Sequence, residues 1–244
     1  MILRRIRVHV EAENWFAVFL DFAIVVIGVF IGIQVANWNT ARADDVRGER
    51  LKARLLVEFR EIESEHLRHL RDTMHWRDAS IAFAQDVLAG RVTSDDPDLG
   101  SRIEDISGFR SGHGPATTVQ EIVSQGDMDL LHPPALREAL IAYNVAAERQ
   151  RQAFSGAWSP PAYDSPLLRL EQLAAVPASD RPEAYQSTMD AMLRSPDLYV
   201  QTGARQIVHE SSLVWHEYSR VKACDVLELL GDTCQPSPYV ETTP

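Results

Sequence analysis

The segment DFAIVVIGVFIGIQVANWN, residues 21–39, is almost wholly apolar, yet it begins with a carboxylate and contains two glycines four residues apart. Over residues 16–36 the strongly polar side chains are those of Asp21 and Gln34. About 20 helical residues are needed to cross the hydrocarbon core of a bilayer, and this run has that length. The segment therefore predicts a transmembrane helix.

Two tryptophans flank the predicted span. Trp15 and Trp38 bracket it, and an indole suits the interface between headgroups and hydrocarbon. We therefore place a short basic tail at 1–14 and the transmembrane helix at 15–38. A cleaved signal peptide is the alternative, because Ala-Arg-Ala at 41–43 has the form of a cleavage site. The apolar run is longer than a signal core and contains an acid, which favours an uncleaved signal anchor.

The charges around the span give two answers about its orientation. Arg4, Arg5 and Arg7 precede the span, but five basic residues follow it within 42–54. The positive-inside count would keep the large C-terminal part in the cytoplasm, whereas long domains translocate with little regard to charge. We favour a cytoplasmic N-terminus with the C-terminal domain outside the cytoplasmic membrane, and keep the opposite orientation as the alternative.

One face of the predicted span collects the acid and the small residues. At 100° per residue, Gly28 and Gly32 lie within about 20° of Asp21, and Ala36 continues this face. Small residues let a second helix approach closely, and a carboxylate in lipid tends to face protein or water. The face predicts contact with a second copy or with another membrane protein. The alternative is that Asp21 only reaches the headgroups.

A long helical pattern follows the span and runs from Ala41 to Ala89, just before Gly90. Residues at alternating spacings of four and three form a bundle seam along it. These are Leu55, Phe59, Ile62, His66, His69, Thr73, Trp76, Ser80, Phe83 and Val87. The pattern predicts a helix that buries one broad face.

Loop and capping signals divide the remaining chain into shorter helices and a final long one, which begins at Ser195 and ends before Gly231. One side of that final helix collects Val200, Ala204, Ile207, Ser211, Val214, Tyr218 and Val221. Convincing strand alternation is missing. We predict an all-α protein with one N-terminal transmembrane helix continuing into an antiparallel helical bundle over 39–234, followed by a disordered tail at 235–244.

Composition restricts the class of protein and its partners. The chain is 45% hydrophobic and 24% charged, which is typical of a globular protein. The formal net charge is −11, and most of the acidic excess lies beyond residue 60. Nucleic acid is therefore not an expected partner, because phosphate binding needs a basic face. The expected partners are the lipid bilayer and a second copy or a membrane protein.

The two cysteines, Cys224 and Cys234, lie in CDVLELLGDTC near the C-terminus. The glycine-containing turn between them could fold the second thiol back toward the first. In an oxidising compartment their disulfide would stabilise the protein by about 2–3 kcal/mol, whereas in a reducing one they would remain thiols. The sequence leaves both states open.

Catalytic and cofactor motifs are weak throughout. His66 and His69 lie one turn apart and could share a metal in a metal-dependent enzyme, but such histidines more often bond to neighbours or solvent. His209-Glu210 and His216-Glu217 each begin like a zinc-protease motif without its second histidine. GFRSGHGP at 108–115 could border a ligand pocket or simply form a turn. We expect no cofactor and no enzymatic activity, and the sequence identifies no small-molecule ligand.

Two segments, AENWFAVFLDFAIVVIGVFIGIQVANWN and TTVQEIVSQGDMDLLHPPALREALIAYN, together resemble a family of uncharacterised bacterial single-span membrane proteins, a domain of unknown function. The matching features are Glu13-Asn14, Asp21, Val26-Ile27-Gly28, Asn37-Trp38-Asn39 and the pattern from Ser124 to Tyr143. The family more often has glutamate where this chain has Asp21. The resemblance implies a single-pass protein of the bacterial inner membrane and no particular activity.

These observations favour a membrane-anchored helical interaction or sensory module that is oligomeric or partner-binding through its transmembrane helix. A different class, an ion- or proton-coupled accessory membrane subunit, would use Asp21 as its working carboxylate. A metal-dependent enzyme around His66 and His69 is a third and weaker hypothesis.

Overall fold

The computed structural model describes residues 15–157 and 166–239. Its helices are α1 (Trp15–Leu88), α2 (Leu99–Ser107), α3 (Thr117–Gln125), α4 (Pro134–Ala157), α5 (Pro166–Ala174), α6 (Glu183–Leu193) and α7 (Pro196–Leu229). Short 3₁₀ turns cover Asp127–Leu130 and Ala178–Asp180. The described residues contain no strand, which confirms the prediction of an all-α helical bundle.

The chain divides into two compact units, one up to Arg50 and one from Leu51 onward. The first unit contains the apolar part of α1. Among the described helices, α1 is the one long and apolar enough to cross a membrane, and none of its apolar window is buried. The sequence predicts a helical domain that begins at residue 39, whereas the compact unit begins at Leu51.

The first core of the second unit joins the predicted seam of α1 to α3, α4 and α7. Phe59 of α1 meets the ring of Tyr143 of α4 edge to face, with centroids 4.9 Å apart. The buried residues of this core include Leu51, Leu55, Phe59 and Ile62 of α1, Val119 and Ile122 of α3, Leu136, Leu140 and Tyr143 of α4, and Ala223, Val226 and Leu227 of α7. The spacing of four and three along α1 thus identifies its buried face correctly.

The second core forms around Phe83, near the C-terminal end of α1. The shorter helices pack there because each buries an apolar stripe too small to be stable alone. Its buried residues include Leu99, Ile103 and Ile106 of α2, Leu167 and Leu170 of α5, Met189 and Leu193 of α6, and Leu198 of α7. On α1, the segment between the two cores carries His66 and His69.

Two glycines end the long helices, as the sequence predicts. After α1 the chain turns at Gly90 with φ of +64°, and after α7 at Gly231 with φ of +84°. Residues with a Cβ rarely adopt this left-handed conformation, which glycine adopts without strain.

The stripe that the sequence places on one side of the final helix lies on the outside of the bundle. We call Val200, Ala204, Ile207, Ser211, Val214, Tyr218 and Val221 the outer face of α7, and all seven residues are exposed. The buried side of α7 instead carries several polar residues, among them His209, Ser212, His216 and Ser219. These groups are inside because most of them bond to neighbouring elements, which helical periodicity alone cannot reveal.

The C-terminal segment is ordered further than the sequence suggests, and the prediction of a disordered tail from residue 235 fails for 235–239. The backbone N–H of Gln235 donates to Glu63 at 2.6 Å, and its carbonyl accepts from Arg220 at 3.0 Å. Ser237 donates to Glu217 at 2.7 Å. These hydrogen bonds hold the segment against α1 and α7. The remaining residues of the predicted tail lie outside the described part.

Candidate functional site

The predicted helix-contact face of the span is open. Asp21, Gly28, Gly32 and Ala36 are all exposed on α1. Apart from the adjacent turns of the helix itself, nothing lies within 4 Å of the position that a Cβ would take at Gly28 or Gly32. The surface therefore has room for a second helix to approach its backbone closely.

One of the two predicted interface tryptophans is described in detail. Trp38 is exposed, and the guanidinium of Arg42 lies over its ring at 5.9 Å from the centroid. An aromatic ring with a cation beside it suits the headgroup region of a bilayer. Trp15 is the first residue of α1, and its side chain lies outside the described part.

Four histidines meet inside the second unit, and we call them the histidine cluster: His66, His69, His113 and His216. His66 and His69 come from α1, His113 from the loop between α2 and α3, and His216 from α7. The Nδ1 atoms of His66 and His216 are 3.4 Å apart, and both residues are fully buried. His69 meets His216 edge to face at 4.9 Å between centroids, and His113 lies 6.3 Å from His66.

A buried hydrogen-bond chain fixes the orientation of His216. The hydroxyl of Ser219 donates to Oε1 of Gln150 at 2.8 Å, and Nε2 of Gln150 donates to Nδ1 of His216 at 3.1 Å. Nδ1 of His216 is therefore the unprotonated ring nitrogen, and its single lone pair accepts from the Gln150 amide. The two rings fit together as neutral imidazoles.

The surroundings keep these imidazoles neutral. Burial lowers the pKa of His66 well below its ordinary value, and the nearby His216, His113 and His69 lower it further. Burial and His69 lower the pKa of His216 to about 3, against a smaller opposing effect of the Arg110 carbonyl. A positive charge here would lose its hydration and repel its neighbours, so both rings are uncharged at neutral pH.

Among the described residues, the histidine cluster does not bring three ligand atoms within 4.8 Å of one another. Nε2 of His66, Nδ1 of His69 and Nε2 of His216 are buried without hydrogen-bond partners. In the part of the chain that the structure describes, the one group of three His, Cys, Asp or Glu side chains with ligand atoms that close is Glu63, Cys224 and Cys234, outside the cluster. The positive charge of Arg220 acts on His66 and disfavours a further cation beside this ring.

The glycine-rich segment 108–115 lies beside the histidine cluster and contributes His113 to it. It brings His113 to the carboxylate of Glu65, with which Nδ1 of His113 pairs. At Gly112 the backbone lies so close to Gln150 that a Cβ would be 2.6 Å from the carbons of that side chain. Glycine at this position therefore lets Gln150 reach His216.

A methyl group at position 112 tests this contact. We expect Gly112→Ala to lower the free energy of unfolding by about 1–3 kcal/mol, because the new Cβ pushes Gln150 away from His216. Urea unfolding of the full chain in detergent measures the change. Gly114→Ala is the matched control, since nothing lies within 4 Å of its Cβ position. Equal stability of the two variants would contradict the proposed close approach.

The two cysteines form a disulfide. Cys224 lies near the end of α7 and Cys234 just beyond it, with Cα atoms 5.7 Å apart. Nη1 of Arg220 lies 3.5 Å from the sulfur of Cys224 and also donates to the Gln235 carbonyl. The bond thus secures the C-terminal segment beside Glu63 and Glu217.

The sequence predicts half of the histidine cluster. The seam pattern identifies His66 and His69, whereas His216 belongs only to an incomplete zinc-protease motif. No sequence pattern connects Gln150 or His113 with them. The available signal was that His209, His216 and the serines of α7 share one helical side, which leaves the apolar stripe on the other.

Comparison of the chain with models of protein families, with curated proteins and with solved structures finds no match. The resemblance to a family of single-span membrane proteins therefore stays a prediction.

Proposed function

We propose that this chain is a membrane-anchored helical interaction module, which associates with a second copy, or with a membrane protein, through its span. The contact surface is the face with Asp21, Gly28, Gly32 and Ala36. The observation that carries the proposal is the open surface of this face, where the helix backbone at both glycines is free to be approached. Within a bilayer, close packing and interhelical hydrogen bonds drive such association.

Asp21 gives this surface a polar contact. Its side chain is exposed on α1 among apolar neighbours, and a carboxylate in hydrocarbon is stable only against protein or water. In a paired helix it can accept or share a hydrogen bond across the contact. The acid and the glycines are thus parts of one interface.

The proposed location is the bacterial inner membrane, with the N-terminus in the cytoplasm and the helical domain in the periplasm. The disulfide between Cys224 and Cys234 supports this orientation, since such bonds form and persist in oxidising compartments. The basic residues after the span argue for the opposite orientation, but they have less influence when a long domain follows.

Self-association can be measured by energy transfer between donor- and acceptor-labelled full-length chains in liposomes. We expect Gly28→Ile to weaken the association constant about tenfold or more, because its branched side chain holds the helices apart. Ala23→Ile is the matched control, since Ala23 lies on the opposite side of the helix. Absence of energy transfer in the parent, together with no co-purifying membrane protein, would overturn the proposal.

A second candidate function uses the same carboxylate as the working group of an ion- or proton-coupled accessory subunit. The exposed position of Asp21 in the span favours keeping it. Asp21→Asn separates the two functions. A packing role predicts altered association, whereas a coupling role predicts intact association and a lost ion or proton flux in the complex.

A further inference from the structure

The disulfide between Cys224 and Cys234 lies against a buried carboxylate of α1. An oxygen of Glu63 lies within 4.8 Å of both sulfurs, and the residue is only 4% exposed. The sulfurs are close to each other because they are bonded, but that bond does not require an acid beside it. Burying a carboxylate is costly, and the N–H of Gln235, which donates to Glu63 at 2.6 Å, offsets part of this cost. A cation at the same place would offset more of it.

Two thiolates and one carboxylate form a ligand set that suits zinc-class cations. Zinc binds cysteine sulfur at about 2.3 Å with tetrahedral geometry, so two sulfurs on one ion lie about 3.8 Å apart. In a disulfide the sulfurs are only about 2 Å apart, and they have to separate before an ion can bind both. Soft thiolates favour zinc over magnesium and calcium, which prefer oxygen ligands. The bond and the ion therefore exclude each other.

We propose that Glu63, Cys224 and Cys234 bind a zinc-class divalent cation when the two cysteines are reduced. This inference goes beyond the proposed function and does not depend on association of the span. A dithiol reduces the bond by supplying two electrons and two protons, which gives two thiols, and the dithiol itself becomes a disulfide. The cation then displaces one proton from each thiol and binds both sulfurs together with the Glu63 oxygen.

The position of Cys234 lets the sulfurs separate while the helices stay in place. Cys224 lies on α7, whereas Cys234 follows the turn at Gly231, beyond the end of that helix. Their Cα atoms are 5.7 Å apart, and changes of side-chain rotamer at this separation move the two sulfurs apart. Cys234 is also partly exposed. The reductant and the cation can therefore reach the site from solvent.

The charges around the site favour a cation. With both thiols ionised, the three ligands carry three negative charges, and a divalent cation offsets two of them. The guanidinium of Arg220 lies 3.5 Å from the sulfur of Cys224, but it already donates to both carboxylate oxygens of Glu217. Three anionic ligands thus outweigh one paired guanidinium. The neutral imidazoles of the histidine cluster do not provide this compensation.

Cobalt(II), a spectroscopic substitute for zinc, tests the site in the full-length chain in detergent. We expect the parent, once reduced with a phosphine, to bind cobalt with the charge-transfer absorption of a cobalt–thiolate bond, and zinc to displace it. The oxidised parent should not show this absorption, because it has no thiolate. The double variant Cys224→Ser and Cys234→Ser should lack it for the same reason. Cobalt held by histidines alone lacks this absorption, so binding at the histidine cluster is distinguished.

The role of the carboxylate is tested with Glu63→Gln in the reduced chain. We expect cobalt binding to weaken at least about tenfold, since even partners outside the ligand set contribute that much. Glutamine keeps an oxygen that can accept from Gln235, so the C-terminal segment retains this hydrogen bond. Glu61→Gln is the matched control, because Glu61 is exposed on the same helix, and it should bind cobalt as the parent does. Equal affinity of Glu63→Gln and the parent would overturn the three-ligand site.

Stability provides a second measurement on the same samples. Zinc should raise the urea midpoint of the reduced parent and leave that of the oxidised parent unchanged, because the ion binds only the folded, reduced chain. A reduced parent without the cobalt–thiolate absorption would overturn the inference. The same absorption in the oxidised parent would overturn it too. Energy transfer between the spans is measured without added metal, so failure of the proposed function is seen separately.

Discussion

The free energy of unfolding should fall by at least about 2 kcal/mol between pH 7.5 and pH 5, because His216 and His66 are buried as neutral imidazoles. The pKa of His66 lies well below its ordinary value and that of His216 is about 3, owing first to burial. In the unfolded chain both titrate near their ordinary pKa of about 6.5. As the pH falls below that value, the unfolded state binds protons that the folded state excludes. Stability is therefore complete above about pH 6.5 and is lost progressively below it.

His216, with a folded pKa of about 3, contributes about 2 kcal/mol by pH 5, and His66 adds a loss of the same sign. Ordinary carboxylates titrate near pH 4, so they contribute little in this window. Urea unfolding of the full chain in nanodiscs at a series of pH values, monitored by near-UV circular dichroism, measures the slope.

His216→Gln should make this slope clearly shallower, because glutamine keeps a polar side chain but binds no proton. It should also lower stability at pH 7.5, because the ring packs against Phe154 at 5.5 Å between centroids. His132→Gln is the control: His132 is exposed, and its replacement should keep the slope of the parent. A free energy of unfolding that does not change between pH 7.5 and pH 5 would contradict the burial of the histidine cluster.

Reduction of the Cys224–Cys234 bond should lower the free energy of unfolding by about 2–3 kcal/mol, chiefly through the greater freedom of the unfolded chain. It should also loosen the C-terminal segment, which hydrogen-bonds to Glu63, Glu217 and Arg220. Urea midpoints with and without a phosphine reductant measure the first effect. Faster hydrogen exchange over residues 232–239 measures the second.

The double variant Cys224→Ser and Cys234→Ser is the control. Its urea midpoint should equal that of the reduced parent and should not change when reductant is added. Unchanged midpoints on complete reduction would contradict a stabilising bond.

The same cysteines test the proposed location. Chains alkylated directly in intact cells should resist labelling, whereas a chain whose domain lies in the reducing cytoplasm would be labelled at both thiols.

The seam of α1 could be predicted because its residues obey a strict helical spacing and most of them are apolar. Leu55, Phe59 and Ile62 are buried as that pattern requires. The span could be identified for a similar reason, since length and hydropathy are local properties of the sequence. Local pattern is thus a sufficient guide wherever one helix face differs strongly from the other.

The final helix is the opposite case, because α7 has two plausible inner faces. The apolar one with Ile207 and Val214 is outside, whereas the side with His216 and Ser219 is inside. The polar side is stable there because His216 and Ser219 both bond to Gln150, which lies far away in sequence. A single sequence carries no signal for that pairing.

The ordered structure of residues 235–239 could not be predicted, for a related reason. Proline and polar composition suggests disorder, yet the backbone of Gln235 bonds to Glu63 of α1. Cys234 also holds the segment in place through its bond to Cys224. Long-range hydrogen bonds and one covalent link thus outweigh the local composition.

The first core also sets the order of events during synthesis of the chain. Leu55 and Phe59 of α1 share this core with Val226 and Leu227 of α7, so they are made early and meet their partners late. At roughly 5–20 residues per second, the interval is about 10–30 s. The seam residues of α1 therefore stay exposed for that time. A nascent chain that is released before α7 is complete cannot bury its first core.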